Sequence, residues 1–168
     1  MKKNTLLVLL LLSFFFSRAQ SHGYGMIRAV DFNYGHTDPA LGGMFSFGVK
    51  GKVVGAGVGT AILHIPGSSS PYFPVFGELN FYTDLRQVRP ILNLQAGYGI
   101  YSQDLGFGVT EKGGLYLGPN LGLLFPMAGR TAFLFSVGYV RTTLSVSAGG
   151  ESASASTDGW SVSAGLKF

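Results

Sequence analysis

The chain contains no cysteine, which excludes disulfides, thiolate metal ligands, a cysteine nucleophile and the lipid-modified cysteine of a bacterial lipoprotein. Charge is scarce, at 12% of 168 residues. The formal net charge of +4 shrinks on inspection, because Lys2, Lys3 and Arg18 fall within the first 19 residues and leave nine basic against eight acidic groups. That balance offers no electrostatic footprint for a polyanion, and no basic run interleaved with aromatics makes a platform for bases, so nucleic-acid binding is not expected. Long apolar runs are missing as well. Downstream of the first segment, Gly, Asn, Asp, Arg or Lys interrupts every hydrophobic stretch short of the roughly 18 residues that mark a spanning helix. A helical membrane protein is excluded.

What is present begins with Met1-Lys2-Lys3, an apolar run from Leu6 to Phe16 and Ser17-Arg18-Ala19-Gln20, the three regions of a secretory signal. The run is too short for the roughly 20 residues of a membrane anchor. Residues 1–19 are therefore expected to be a signal peptide cleaved after Ala19, and residues 20–168 one β-barrel domain. The remainder is apolar and glycine-rich, with 26 glycines in the whole chain.

Those two properties meet in alternation. Trp160, Val162, Ala164, Leu166 and Phe168 share one parity, with Ser161, Ser163, Gly165 and Lys167 on the other. A strand with period two sends such sets to opposite faces. Leu92, Leu94, Ala96, Tyr98 and Ile100 stand likewise against Asn93, Gln95, Gly97 and Gly99, and Leu115, Leu117, Pro119, Leu121, Leu123 and Phe125 against Tyr116, Gly118, Asn120, Gly122 and Leu124. Eight strands are expected, near 24–35, 42–50, 53–65, 74–84, 89–101, 113–125, 131–144 and 157–168. Between them short turns (50–52, 84–88, 126–130) alternate with longer polar loops (36–41, 66–73, 102–112, 145–156). An outer-membrane barrel has short periplasmic turns and longer external loops. The expected fold is all-β, an eight-stranded antiparallel up-and-down transmembrane β-barrel in the bacterial outer membrane, apolar toward lipid and small or polar toward the lumen. Aromatics gather near both strand ends: Tyr34, Tyr72, Phe73, Tyr101, Tyr139 and Trp160 at the external end, and Tyr24, Phe81, Phe125, Phe133 and Phe168 at the periplasmic end. Two girdles are expected. Arg28 and Arg141 share a parity with apolar neighbours; Arg141 suits an interface, while the direction of Arg28 is left open.

The leader, the eight alternating segments and the terminal Trp160-x-Val162-x-Ala164-x-Leu166-x-Phe168 resemble the small outer-membrane β-barrel family of OmpA-like and OmpX-like barrels. Pro74-Val75-Phe76-Gly77-Glu78-Leu79-Asn80-Phe81, Leu94-Gln95-Ala96-Gly97-Tyr98-Gly99 and Gly118-Pro119-Asn120-Leu121-Gly122 are similar to its recurrent strand patterns. The resemblance implies outer-membrane lipid and the barrel-assembly machinery as partners, the latter reading Trp160, Val162, Ala164, Leu166 and Phe168 as its signal. It implies no catalytic set, and it does not extend to a peptidoglycan-binding domain.

Candidate chemistry is thin. Gly55-Ala56-Gly57-Val58-Gly59-Thr60-Ala61 lacks the spacing of a dinucleotide fingerprint and continues as a strand; its glycines fit an inward stripe facing larger side chains. His64 before Ser68, Ser69 and Ser70, or His36 with Asp38, would be the only material for a Ser–His site acting on lipid in the outer leaflet, and His and Ser are ordinary loop residues. Three scattered histidines make no metal site. Glu78, Asn80, Asn93, Gln95 and Asn120 share the inward parity and are expected to meet as a polar network filling a narrow lumen. Ser147 to Thr157 reads as a mobile loop, a solvated loop ahead of a partner-binding edge, and Lys50, Lys52, Arg86, Arg89 and Arg130 collect in the short turns. No catalytic residue, cofactor or metal is expected. The leading expectation is a non-enzymatic barrel with a structural or interaction role, ahead of a narrow gated pore, a lipid-modifying enzyme and a soluble lipocalin-like barrel.

Overall fold

A computed structural model of the chain describes residues 22–33, 39–66, 70–83, 87–106, 109–127, 129–148 and 151–168, and their side chains except at 102–111, 147, 148 and 151. The expected leader and the cleavage expected after Ala19 lie outside the described residues. Ten strands are formed: β1 His22–Asn33, β2 Ala40–Lys50, β3 Val54–His64, β4 Phe73–Tyr82, β5 Arg89–Ile100, β6 Ser102–Gly106, β7 Val109–Lys112, β8 Leu115–Pro126, β9 Ala132–Ala148 and β10 Glu151–Lys167. Eight of them close a barrel in the order β10-β1-β2-β3-β4-β5-β8-β9, with β9 pairing back to β10. Every pairing is antiparallel. The expected fold class stands.

The period-two pattern sorts side chains as anticipated along most of the wall. Ile62, Val75, Leu92, Leu115, Leu121, Val137 and Val162 project outward with large exposed areas, up to 62% for Leu121. So continuous an apolar exterior is incompatible with water on that face and is what hydrocarbon requires. It is the inverse of a soluble lipocalin-like barrel. The girdles are real but smaller than expected. Phe73, Tyr139 and Trp160 are exposed at one end and Phe81, Phe125, Phe133 and Phe168 at the other, Tyr139 and Trp160 meeting edge to face at 6.1 Å between centroids. Tyr24, Tyr72 and Tyr101 are instead buried inside the barrel, and Tyr34 lies outside the described residues. Their parity is inward, and an eight-stranded lumen is too narrow to leave such positions wet.

Strand β1 carries the clearest departure. Its inward set is Tyr24, Met26, Arg28, Val30 and Phe32, large and mostly apolar where small or polar residues were expected. These side chains occupy space left by the glycine stripe of β3. A Cβ on Gly57 would sit 2.5 Å from the Tyr24 hydroxyl, and one on Gly59 would sit 2.7 Å from the Phe76 ring. Bulk on β1 and β4 thus packs over bare backbone on β3. Above the middle of the barrel, Phe32, Met44, Leu63, Tyr72, Phe76, Tyr116 and Val140 form one apolar cluster; below it, Tyr24, Met26, Tyr82, Ile91, Leu124 and Leu134 form a second.

Two stretches expected to be long loops are sheet. Residues 145–148 and 151–156 continue β9 and β10, whose ladder runs without a break from Lys167↔Ala132 to Glu151↔Ala148. The 102–112 segment forms the β6–β7 hairpin, and β7 pairs with β9 from Val109↔Ala148 to Lys112↔Ser145. A small sheet in the order β10-β9-β7-β6 therefore stands beyond the barrel at the end opposite the short turns. Composition misleads here because ladder hydrogen bonds come from backbone, and Ser/Ala side chains conceal which distant segment supplies the partner. The strands end where the short turns were expected, residues 84–86 and 128 of those turns lying outside the described residues. In the last of them Gly129 adopts φ 71°, a left-handed conformation that glycine accepts at no steric cost, and Met127 N–H donates to Thr131 O at 2.9 Å.

Close backbone approach makes a sharp test. A Cβ at Gly97 would meet the Phe76 backbone, its Cα at 2.5 Å, whereas one at Gly43 meets nothing within 4 Å. Gly97→Ala is expected to lower folding stability by about 1–3 kcal/mol and Gly43→Ala by less than about 0.5 kcal/mol, read from urea titrations of the folded band on unheated gels.

Candidate functional site: a sealed polar belt across the lumen

Between the two apolar clusters the inward positions are polar, and they converge. Glu78 on β4 is 2% exposed and Arg28 on β1 is 3% exposed. Their charges lie 3.5 Å apart, from Arg28 Nη2 to Glu78 Oε2. The carboxylate is a hub. Its Oε1 accepts from the Tyr24 hydroxyl at 2.7 Å and from Asn80 Nδ2 at 3.1 Å, and its Oε2 accepts from Asn93 Nδ2 at 3.1 Å. Asn93 also donates to Asn80 Oδ1 at 2.8 Å, and Asn80 to the Tyr24 oxygen at 2.9 Å. Around the wall the chain of contacts continues from Ser161 Oγ to Asn120 Oδ1 at 2.9 Å and, more weakly, from Asn120 Nδ2 to Asn93 Oδ1 at 3.5 Å. Ser136 and Ser163 share a 2.6 Å hydrogen bond.

All five expected inward residues, Glu78, Asn80, Asn93, Gln95 and Asn120, face the lumen and are buried. Four join through the Glu78 hub. Gln95 sits apart, accepting from the Tyr116 hydroxyl at 3.0 Å and lying 3.5 Å from Met44 Sδ. Sequence reasoning missed Tyr24 and Ser161 and left Arg28 undirected. The available signal for Arg28 was its shared parity with Tyr24, Met26 and Phe32, read the other way round. Arg28 retains Nε and Nη2 without hydrogen-bond partners, so the ion pair is close but not forked. The gap bordered by Arg28, Asn80, Asn93, Asn120 and Ser136 has no room for a water-sized sphere. The lumen is interrupted there.

Below the belt, Lys167 ends β10 and reaches into the mouth at the short-turn end. Its Nζ donates to the Tyr82 hydroxyl and lies 4.3 Å over the Tyr24 ring, while Lys50 Nζ lies 4.3 Å over the Tyr82 ring. At the other end Arg141 remains on the outer wall, exposed, 3.6 Å from Asp158 and donating to Ser156 Oγ at 3.2 Å. Trp160, Val162, Leu166 and Phe168 are exposed on the outer face, with Ala164 half-buried on the same side.

Of the material considered for catalysis, His64 and Ser70 are described. His64 points outward from the rim end of β3, opposite Leu41. Ser68, Ser69, His36 and Asp38 lie outside the described residues. Among the described residues no group of three His, Cys, Asp or Glu side chains is placed to hold a metal ion.

The hub makes a thermodynamic prediction. Truncating one partner of a buried ion pair strands the other charge, at about 3–5 kcal/mol, whereas replacing both by apolar groups is far milder. Glu78→Leu is expected to destabilise the folded barrel by that amount, and Arg28→Met with Glu78→Leu together by clearly less. Denaturant titrations of the single and double variants measure the difference.

No family model and no curated protein matches the chain. Among solved structures it is similar to a major outer membrane protein from Thermus thermophilus, at 11% identity and a TM-score of 0.44, covering 88% of this chain and 99% of that one.

Proposed function

We propose that the chain is an exported outer-membrane barrel without enzymatic activity, whose lumen is closed and whose task is carried out on its outside, as a structural or interaction protein. The leader supports export, and the apolar wall between two aromatic girdles supports residence in a bilayer. The observation that carries the interaction reading is the sheet β10-β9-β7-β6 raised beyond the barrel. Among the described residues β6 ends the strand order, and β10 between Glu151 and Gly159 pairs with β9 alone, β1 joining it from Trp160 onward. Two strand edges without a described partner strand thus stand at the exterior, the geometry by which an extended partner segment adds a strand. Outer-membrane lipid surrounds the wall, and the outward row Trp160, Val162, Ala164, Leu166 and Phe168 is available to the barrel-assembly machinery as the last strand is placed.

A second reading, a narrow gated pore, draws on one observation: the Arg28–Glu78 pair leaves guanidinium nitrogens unbonded, so an alternative pairing would break the belt where it is thinnest.

Two measurements separate these readings. The purified barrel in a planar bilayer is expected to show no reproducible conductance steps; steps that vanish in Glu78→Gln would establish the pore. Replacing residues 145–154 by a two-residue turn is expected to leave the unfolding midpoint of the barrel unchanged, as befits a sheet serving the exterior. Loss of the folded barrel would make the hairpin a structural support instead.

A further inference from the structure

The near-neutral composition conceals a strong polarisation along the barrel axis. At the short-turn end the described residues carry Lys50, Lys52, Arg89, Arg130 and Lys167 and no acidic side chain. Arg86 and Asp84, in the undescribed part of the same turn, cancel in formal charge. Toward the opposite end stand Asp31, Asp104, Glu111, Glu151 and Asp158 against Lys112 and Arg141. Arg28 and Glu78 neutralise each other between. Among the described residues one rim is thus basic by five formal charges and the other acidic by three.

The basic charges are also spread around the circumference. Lys167 is on β10, Lys50 on β2, Lys52 in the turn to β3, Arg89 at the start of β5 and Arg130 in the turn from β8 to β9. In the closed order β10-β1-β2-β3-β4-β5-β8-β9, that places a cation on every side of the rim. A single protein partner would meet one arc of such a ring. A leaflet of lipid surrounds the whole rim and meets its exposed cations, Lys52 and Arg130, directly. The neighbouring exposed aromatics Phe47, Phe81, Phe125, Phe133 and Phe168 mark the level at which acyl chains give way to headgroups, and the basic rim lies just beyond that level. Lys52 and Arg130 are exposed there, while Lys167 and Lys50 turn inward over Tyr82 and add to the field at the mouth.

We infer that the short-turn rim selects phospholipids whose headgroups carry net negative charge, gathering them around the barrel in the leaflet on that side. The attraction is that of Lys and Arg for an anionic surface, acting within a Debye length. It holds the barrel at a fixed depth and resists inversion, since turning the protein over would bring the acidic end to the same headgroups. The inference rests on the membrane reading above but not on the role of the projecting sheet.

The test uses the full refolded chain in phosphatidylcholine bilayers with trace spin-labelled phosphatidylglycerol or spin-labelled phosphatidylcholine. The spectra report how much of each lipid is immobilised at the protein. At low salt the anionic lipid is expected to be preferred at least about five-fold, the ratio that a single Lys or Arg beside an anionic surface supplies, and the preference falls toward unity as added salt shortens the screening length. Lys52→Gln with Arg89→Gln and Arg130→Gln abolishes most of it. Lys52→Gln with Arg130→Gln, both exposed turn positions, removes part and guards against misfolding of the triple variant. Glu151→Gln with Asp158→Asn at the far end leaves it in place. Equal immobilisation of the two lipids by the unaltered protein, or a preference that survives the triple substitution, overturns the inference. Absence of any immobilised lipid would instead mean that the chain does not sit in a bilayer, a distinct failure.

Discussion

In hydrocarbon no water is available to satisfy a backbone N–H or C=O, so a sheet that crosses must pair every strand on both sides. The pairing of β9 with β10, β10 with β1, and so on around the wall meets that condition with eight strands. The rest of the molecule follows from the small radius this imposes. Eight strands enclose a lumen about as wide as the side chains that line it, so the inside cannot be a channel by default. It has to be packed, like the interior of a soluble protein turned toward its own axis.

Packing such a lumen from eight walls requires that bulk on one strand be matched by absence on another. The aromatics of β1 and β4 project over the glycines of β3, with Tyr24 against Gly57 and Phe76 against Gly59. The glycine content that looks anomalous for a globular chain is thus the complement of the buried aromatics. Polar groups are admitted only where they complete one another. Glu78 accepts three hydrogen bonds and faces Arg28, an arrangement that makes each charge tolerable while the other remains and costly once it is gone. The apolar clusters above and below keep that belt out of contact with either mouth.

Outside, the same closure leaves two ends with different chemistry. One is cut short by tight turns and carries basic residues around its circumference. The other is extended by β6, β7 and the upper parts of β9 and β10 into a sheet with an acidic balance among the described residues. A packed lumen thus separates a raised sheet at one end from a cationic rim at the other.

Period-two alternation in segments such as Leu92 to Ile100 and Trp160 to Phe168 determined by itself that the chain forms spanning strands, how many there are, which residues share a face and where the short turns fall. The shared parity of Glu78, Asn80, Asn93, Gln95 and Asn120 was legible for the same reason. Parity does not say which face is the lumen when both are apolar, and in β1, where Ile27 and Ala29 oppose Tyr24, Met26 and Phe32, only closure of the barrel turned Arg28 inward onto Glu78. A lumen this narrow is as dry as the lipid outside, so hydrophobicity cannot distinguish the two. The Ser/Ala stretch from 152 to 156 was equally silent, because its strand character comes from backbone pairing with residues 143–147, a long-range fact that its small side chains do not encode. Local pattern determined the wall; the contents of the lumen and the sheet above it were decided by which segments the closed sheet brings face to face.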